Sequence, residues 1–269
     1  MLSRTLMLAV ALGGLVAMAP LCAFAADAKL AAAVAAPGRD AANKARDGAR
    51  HPQASLEFWG LRPSQTVIEV APGGGYWSEI LAPYAKNTGG HYIAATGKPD
   101  QKLPDKFNDK AMYGDIHYTV FSNTSGPMGP ANSADLVLTA RNIHDWLWTP
   151  GMAEKSMRDF YAVLKPGGIL AVEDHRADPR PQNGDARDGY VATSTIVALA
   201  QKAGFKLDAK SEINANAKDT KDHPFGVWTL PPTRRSAPGG QPDNPNFDHH
   251  KYDAIGESDR MTLRFRKPA

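Results

Sequence analysis

An α/β fold, doubly wound around a mostly parallel sheet, is what this sequence predicts, and three observations carry the prediction. The run Thr66-Val67-Ile68-Glu69-Val70-Ala71-Pro72-Gly73-Gly74-Gly75 passes from β-branched and apolar residues into a proline and three glycines. Residues 76–84 then place apolar side chains at helical spacing, which together reads as buried strand, tight turn, helix. Strand-like and helix-like segments go on alternating through the rest of the chain, the pattern of βαβ units. The length agrees: of 269 residues, a leader of 25 leaves 244, enough for one large α/β domain with additions.

The leader comes first. Arg4 precedes an apolar run over residues 6–19, then Pro20 and Ala23-Phe24-Ala25, so residues 1–25 read as a secretory signal cleaved before Ala26. A membrane-spanning helix would need about twenty apolar residues, and this run is shorter, so no stable span is expected after cleavage. There is no twin-arginine pair, so the chain is expected to be exported unfolded, to the periplasm or beyond. Cys22, the single cysteine, falls inside the leader. The mature form is therefore expected to have no disulfide, thiol nucleophile or cysteine-held metal.

Residues 26–60 form a helical arm, rich in Ala, Arg and Asp and broken at Pro37-Gly38. Its last part, 55–60, is a helix ending on Gly60. The main domain, 61–269, has strands at 66–71, 90–96, 116–121, 134–140, 169–175, 205–213 and 259–268. Helices are expected over 76–84, 152–164 and 190–203. Residues 97–110 are polar, 122–133 form a Gly/Pro/Asn/Ser loop, and about 214–258 is a long loop insertion rich in Pro, Asn, Asp and Gly.

A net charge of +3, or +2 once Arg4 is removed, brings no long basic block, and aromatics do not interleave with Lys and Arg, which disfavours nucleic acid as a partner. In a doubly wound sheet, ligands sit beyond the carboxyl ends of the strands. Glu69 to Gly75, Arg141 to Asp145, and Asp174 with His175 all follow strands and should converge on one cleft. A Gly-x-Gly-x-x-Gly dinucleotide fingerprint fails because Ser78 holds its last glycine position. His144 titrates near neutrality and could accept a proton, with Asp145 orienting it. The structural reading of that segment is a helix start capped by Asp145, with Arg141 at the surface. Asp174-His175 is a similar pair beside the turn at Asp178-Pro179. Trp146 and Trp148 could wall a pocket or simply pack. Asp248-His249-His250 has metal-ligand residue types, but neighbours on an extended chain point apart, so no metal site is assigned.

Glu69-x-Ala71-x-Gly73-x-Gly75 resembles motif I of class I S-adenosylmethionine (SAM)-dependent methyltransferases, with Ala71 where the first glycine usually stands. Arg50-His51-Pro52, Ile80-Leu81-Ala82-Pro83-Tyr84, Leu164-Lys165-Pro166-Gly167-Gly168, Asp174-His175-Arg176 and Asp259-Arg260 extend the likeness to most of the mature chain. They are similar to a group of exported bacterial methyltransferases. The resemblance implies a seven-stranded sheet of the class I methyltransferase (Rossmann-like) type, with SAM as cofactor. It implies that Glu69, Ala71, Gly73, Gly74, Gly75, Arg141 and Asn142 hold the cofactor and that His144, Asp145, Asp174 and His175 carry the chemistry. One position departs from the pattern: the acid that usually holds the ribose at the end of the second strand falls at Ala94, Ala95 or Thr96. Asp100 is the nearest acid, in the loop that follows. Either that loop folds back, or SAM binds weakly, or it does not bind.

The function expected is methyl transfer from SAM to an oxygen or nitrogen of a small molecule or surface group. The alternative is an exported binding or interaction protein that keeps the fold without SAM catalysis. A His/Asp hydrolase lacks its Gly-x-Ser-x-Gly elbow.

Overall fold

The computed structural model describes residues 27–179 and 186–269. The expected leader, with Arg4 and Cys22, lies outside the described residues. The strands are β1 (Thr66–Val70), β2 (His91–Thr96), β3 (Ile116–Val120), β4 (Ala134–Ala140), β5 (Leu164–His175), β6 (Lys206–Ser211) and β7 (Arg260–Arg266). They form one seven-stranded sheet in the order β3-β2-β1-β4-β5-β7-β6. The first five pair in parallel, and β7 runs antiparallel to β5 and β6. The strand order reverses between β1 and β4, the place where a doubly wound sheet opens a crevice at its carboxyl edge.

Side chains along a strand alternate between faces, and β1 shows what that does. Ile68 and Val70 enter a core with Met157 and Phe160 of α8 (Met152–Val163) and Ile196 of α9 (Thr193–Lys202). Val67 enters the opposite core with Ile80 and Leu81 of α5 (Ser78–Thr88), Leu30 of α1 (Ala28–Ala35) and Leu56 of α4 (Pro52–Phe58). Glu69 has the parity of Val67 and is buried on that second face. The arm also contains α2 (Ala41–Lys44) and α3 (Asp47–Arg50). It is fastened to the last strand and the residues just before it: Trp59 Nε1 donates to Leu263 O at 3.1 Å, and Arg50 Nε meets Glu257 at 2.9 Å.

Three segments differ from the expectation. β5 starts at Leu164 rather than 169, because the Lys-Pro-Gly-Gly turn is drawn into the sheet by Ala134 and by Gly167 N donating to Lys267 O. The polar stretch after β2 contains a 3-10 turn (Asp105–Asn108) and α6 (Lys110–Tyr113), and it buries Leu103 and Phe107. The long loop contains a second 3-10 turn (Gly226–Thr229) and α10 (His250–Ile255). Here α7 denotes the single turn Ile143–Trp146 after β4. Among the described residues no helix is long and apolar enough to cross a membrane.

Candidate active site

At the carboxyl edge, where β1, β4 and β5 end, lies a cavity of about 370 Å³. Its floor is the β1 turn. Ala71 adopts φ +50°, a left-handed conformation natural to the glycine it replaces, and its N–H donates to Ala95 O at 2.9 Å. Gly73 and Gly74 line the cavity, and a Cβ on either would meet nothing within 4 Å. Gly75 is different. With φ +86°, a Cβ there would lie 2.6 Å from Phe107 Cζ, so this glycine admits a ring of the protein itself. The segment after β2 thus packs on the glycine that was expected to help hold the cofactor.

Glu69 Oε2 accepts hydrogen bonds from Ser78 Oγ at 2.8 Å and Tyr92 OH at 2.6 Å. Burial pushes its pKa up to about 7, against the lowering effect of those two hydroxyls. The carboxyl therefore ties β1, β2 and α5 together behind the turn, although the residue still borders the cavity.

The β4 end supplies the second wall. Arg141 takes φ +62° and directs its N–H to Glu173 O at 2.8 Å. Asn142 Nδ2 donates to Val70 O at 3.1 Å, joining the two strand ends across the crevice. Asp174 then organises α7. Its Oδ2 accepts Ile143 N at 2.8 Å and His144 N at 3.3 Å, so Asp174, not Asp145, caps this turn. Its Oδ1 accepts His144 Nδ1 at 2.7 Å and His175 N at 2.8 Å. His144 Nε2 is left facing Asp145 Oδ1 at 3.3 Å. Burial alone would lower the His144 pKa, but Asp174 outweighs it and the result is raised. His175 shares a 2.5 Å hydrogen bond between Nδ1 and Ser258 Oγ, and burial beside His144, Arg141 and Arg260 holds it well below the usual histidine range. The two imidazoles are 4.9 Å apart, centre to centre, and both border the cavity.

Behind them sits a buried ion cluster that sequence reasoning missed. Arg260 Nε is 2.7 Å from Glu173 Oε1, and its Nη1 pairs with Glu257. Glu257 also meets Arg46 at 2.8 Å and Arg50 at 2.9 Å. Buried N–H groups of Arg50 (Nη1 and Nη2) and Arg141 (Nε) have no hydrogen-bond partner among the described residues. Asn43 and Arg46 from the arm and Trp228 from the long loop complete the cavity rim. One signal could have found Arg260: β7 is antiparallel, so its first residue pairs with His175 at the carboxyl edge. Arg46 and Trp228 carry no such local signal.

The structure thus brings Glu69, Ala71, Gly73, Gly74, Arg141, Asn142, His144, Asp145 and His175 around one cavity, with Asp174 directly behind. Gly75 lies outside its lining. Trp146 packs against Phe121 and Phe160, while Trp148 lies at a tilt to Trp228, which in turn sits 5.9 Å from His144. In the Asp248-His249-His250 run, His249 packs on Phe247 and Asp248 accepts the backbone N of His250.

No family model matches the chain. It is 27% identical over 140 residues to the ubiquinone/menaquinone biosynthesis C-methyltransferase UbiE of Hydrogenovibrio crunogenus, covering 51% of this chain and 52% of that protein. Against the UbiE of Vibrio cholerae it is 29% identical over 125 residues, 44% of each. The chain spans about half the length of the curated relatives it matches. Among solved structures, a SAM-dependent methyltransferase from Aquifex aeolicus superposes with a TM-score of 0.53 at 16% identity, over 83% of this chain and 93% of that one. The [4+2]-cyclase SpnF gives 0.53 at 16% identity, over 82% and 80%. The sheet order, the glycine turn and these likenesses together show that the chain has the class I methyltransferase, Rossmann-like fold.

Proposed function

We propose that this protein is a SAM-dependent methyltransferase (EC 2.1.1.-) acting on an oxygen or nitrogen of a small molecule or surface group. The observation that carries the reading is the cavity at the strand-order reversal, floored by an open glycine turn and walled by a histidine held on a buried carboxylate. Similarity to C-methyltransferases over half the chain supports methyl transfer as the reaction but not the choice of oxygen or nitrogen as acceptor.

The fit to SAM divides between the two ends of the cofactor. The methionine half suits the cavity, because Gly73 and Gly74 leave room and Asn142 and Arg141 lie opposite them. The adenosine half does not fit this conformation. No lining residue falls between Trp77 and Ala140 in the chain. At the end of β2, Thr96 Oγ1 shares its proton between Lys98 O at 3.2 Å and Gln101 O at 3.1 Å, and Asp100 stays exposed. Leu103 and Phe107 cover Gly75, a glycine of the turn that would hold the cofactor. On this reading residues 97–108 must lift when the cofactor binds.

The cofactor would supply an electrophilic methyl group. The chain's own work is to hold the acceptor in line, which in well-oriented systems lowers the barrier by about 7–11 kcal/mol. Trp228 offers a flat wall, and the group formed by His144, Asp145 and His175 is where the acceptor would give up its proton. Asp174 fixes the His144 ring and leaves Nε2 facing Asp145. Calorimetric titration with SAM and S-adenosylhomocysteine tests the reading: binding of both is expected, and binding of neither would refute it. The expected leader makes export part of the proposal, and material from the periplasm should begin near Ala26; an intact Met1 would contradict that.

A further inference from the structure

The Arg141 side chain borders the cavity and has no hydrogen-bond or ion-pair partner among the described residues, and its Nε is buried. Burial pulls its pKa down, against the raising effect of Glu173 and Glu257 nearby. Both of those carboxylates are already committed. Glu173 pairs with Arg260 at 2.7 Å, and Glu257 is shared by Arg46, Arg50 and Arg260. With Arg141, four guanidinium groups stand against these two carboxylates. Glu69 and Asp145 also border the cavity, but Glu69 is bonded to Ser78 and Tyr92, and Asp145 faces His144. A buried charge without a counter-charge is strongly unfavourable, so the cavity is arranged for an anion that these side chains do not supply. SAM does not restore the balance. Its carboxylate is offset by its own ammonium group, and its sulfonium adds a further positive charge.

We propose that the methyl acceptor is a small organic acid whose carboxylate or phosphate is held by the Arg141 guanidinium, with Arg46 beside it. The planar fork of a guanidinium matches two oxygens of either group. Arg46 meets Glu257 through its Nε, which leaves its two terminal nitrogens for the ligand. A cavity of about 370 Å³ suits a small molecule. Trp228, 5.9 Å from His144, gives the body of the acid a flat wall between the arginines and the histidine. That the acid is a methyl acceptor rests on the methyltransferase reading; that the cavity takes an anion rests on the unpartnered arginine.

The test titrates the full chain by calorimetry with benzoate, phenyl phosphate and uncharged benzamide, with and without S-adenosylhomocysteine. At least one of the two anions is expected to bind well above benzamide, and the tighter one tells a carboxylate seat from a phosphate seat. Arg141→Met should weaken that anion by about 10–100-fold, as expected when a hydrogen bond to a charged group is lost. If Arg141→Met fails to fold, Arg46→Met decides instead, at a side chain 23% exposed, and should weaken the same anion by about tenfold or more. The proposal is overturned if no probe binds, if benzamide binds as tightly as the anions, or if anion affinity survives the substitutions. Titration with S-adenosylhomocysteine alone keeps the two readings apart. If it binds and the anions do not, the acid acceptor falls and methyl transfer stands. If the anions bind and it does not, the anion seat stands and methyl transfer falls.

Discussion

Gly75 offers a direct test of how the segment after β2 is placed. Gly75→Ala adds one methyl group at φ +86°, 2.6 Å from Phe107 Cζ and 2.7 Å from Cε2. The left-handed backbone costs an L-residue about 1–2 kcal/mol. Forcing a methyl into packed ring atoms costs typically about 1–3 kcal/mol more. The sum, about 2–5 kcal/mol, is a large share of the roughly 5–15 kcal/mol that keeps a domain folded. Only the second part depends on Phe107. In a cycle with Phe107→Ala, which by itself should cost about 3–5 kcal/mol, the backbone penalty remains and the overpacking penalty disappears. The expected coupling is therefore about 1–3 kcal/mol in the favourable direction. Urea unfolding of the four proteins, compared at constant slope, measures it. Additive costs would mean that Phe107 does not lie over Gly75. If instead Gly75 faced a bound cofactor, Gly75→Ala would cost little beyond the backbone penalty and would abolish SAM binding.

Three further outcomes follow from the same contacts. Trimming the plug should open the adenosine seat, so Phe107→Ala is expected to bind SAM more tightly than the parent in calorimetry; equal or weaker binding would refute the need for residues 97–108 to lift. Glu69 has a folded-state pKa raised from 4.5 to about 7, so the folded protein keeps a proton that the unfolded chain loses, and stability falls as pH rises through that window. At 1.36 kcal/mol per pH unit the loss is about 3 kcal/mol, and the Glu69→Gln minus parent difference, followed by urea unfolding between pH 4.5 and 7.5, should show it; a flat difference would remove Glu69 as the group responsible. Glu257→Ala leaves Arg46, Arg50 and Arg260 without their shared carboxylate, and breaking such a buried pair costs about 3–5 kcal/mol, so a change below 1 kcal/mol in thermal or urea unfolding would contradict the cluster.

Local pattern alone determined that β1, its glycine turn and α5 follow one another, that β4 spans 134–140, and that the ends of β1, β4 and β5 would meet at one crevice. These are matters of periodicity and turn chemistry, written within a dozen neighbouring residues. The absent acid at Ala94 to Thr96 was legible for the same reason. Partner choice was not. Glu69 finds Tyr92 across 23 residues, and His144 finds Asp174 across 30. Arg46 meets Glu257 across 211 residues, only because an antiparallel β7 returns the chain's end to the edge that the arm covers. Phe107 sits in a stretch of polar composition, and only the tertiary structure shows it buried against Gly75. Tertiary structure decided these roles because a buried polar group must take its partner from whatever the sheet order sets beside it, and that order is a property of the whole chain.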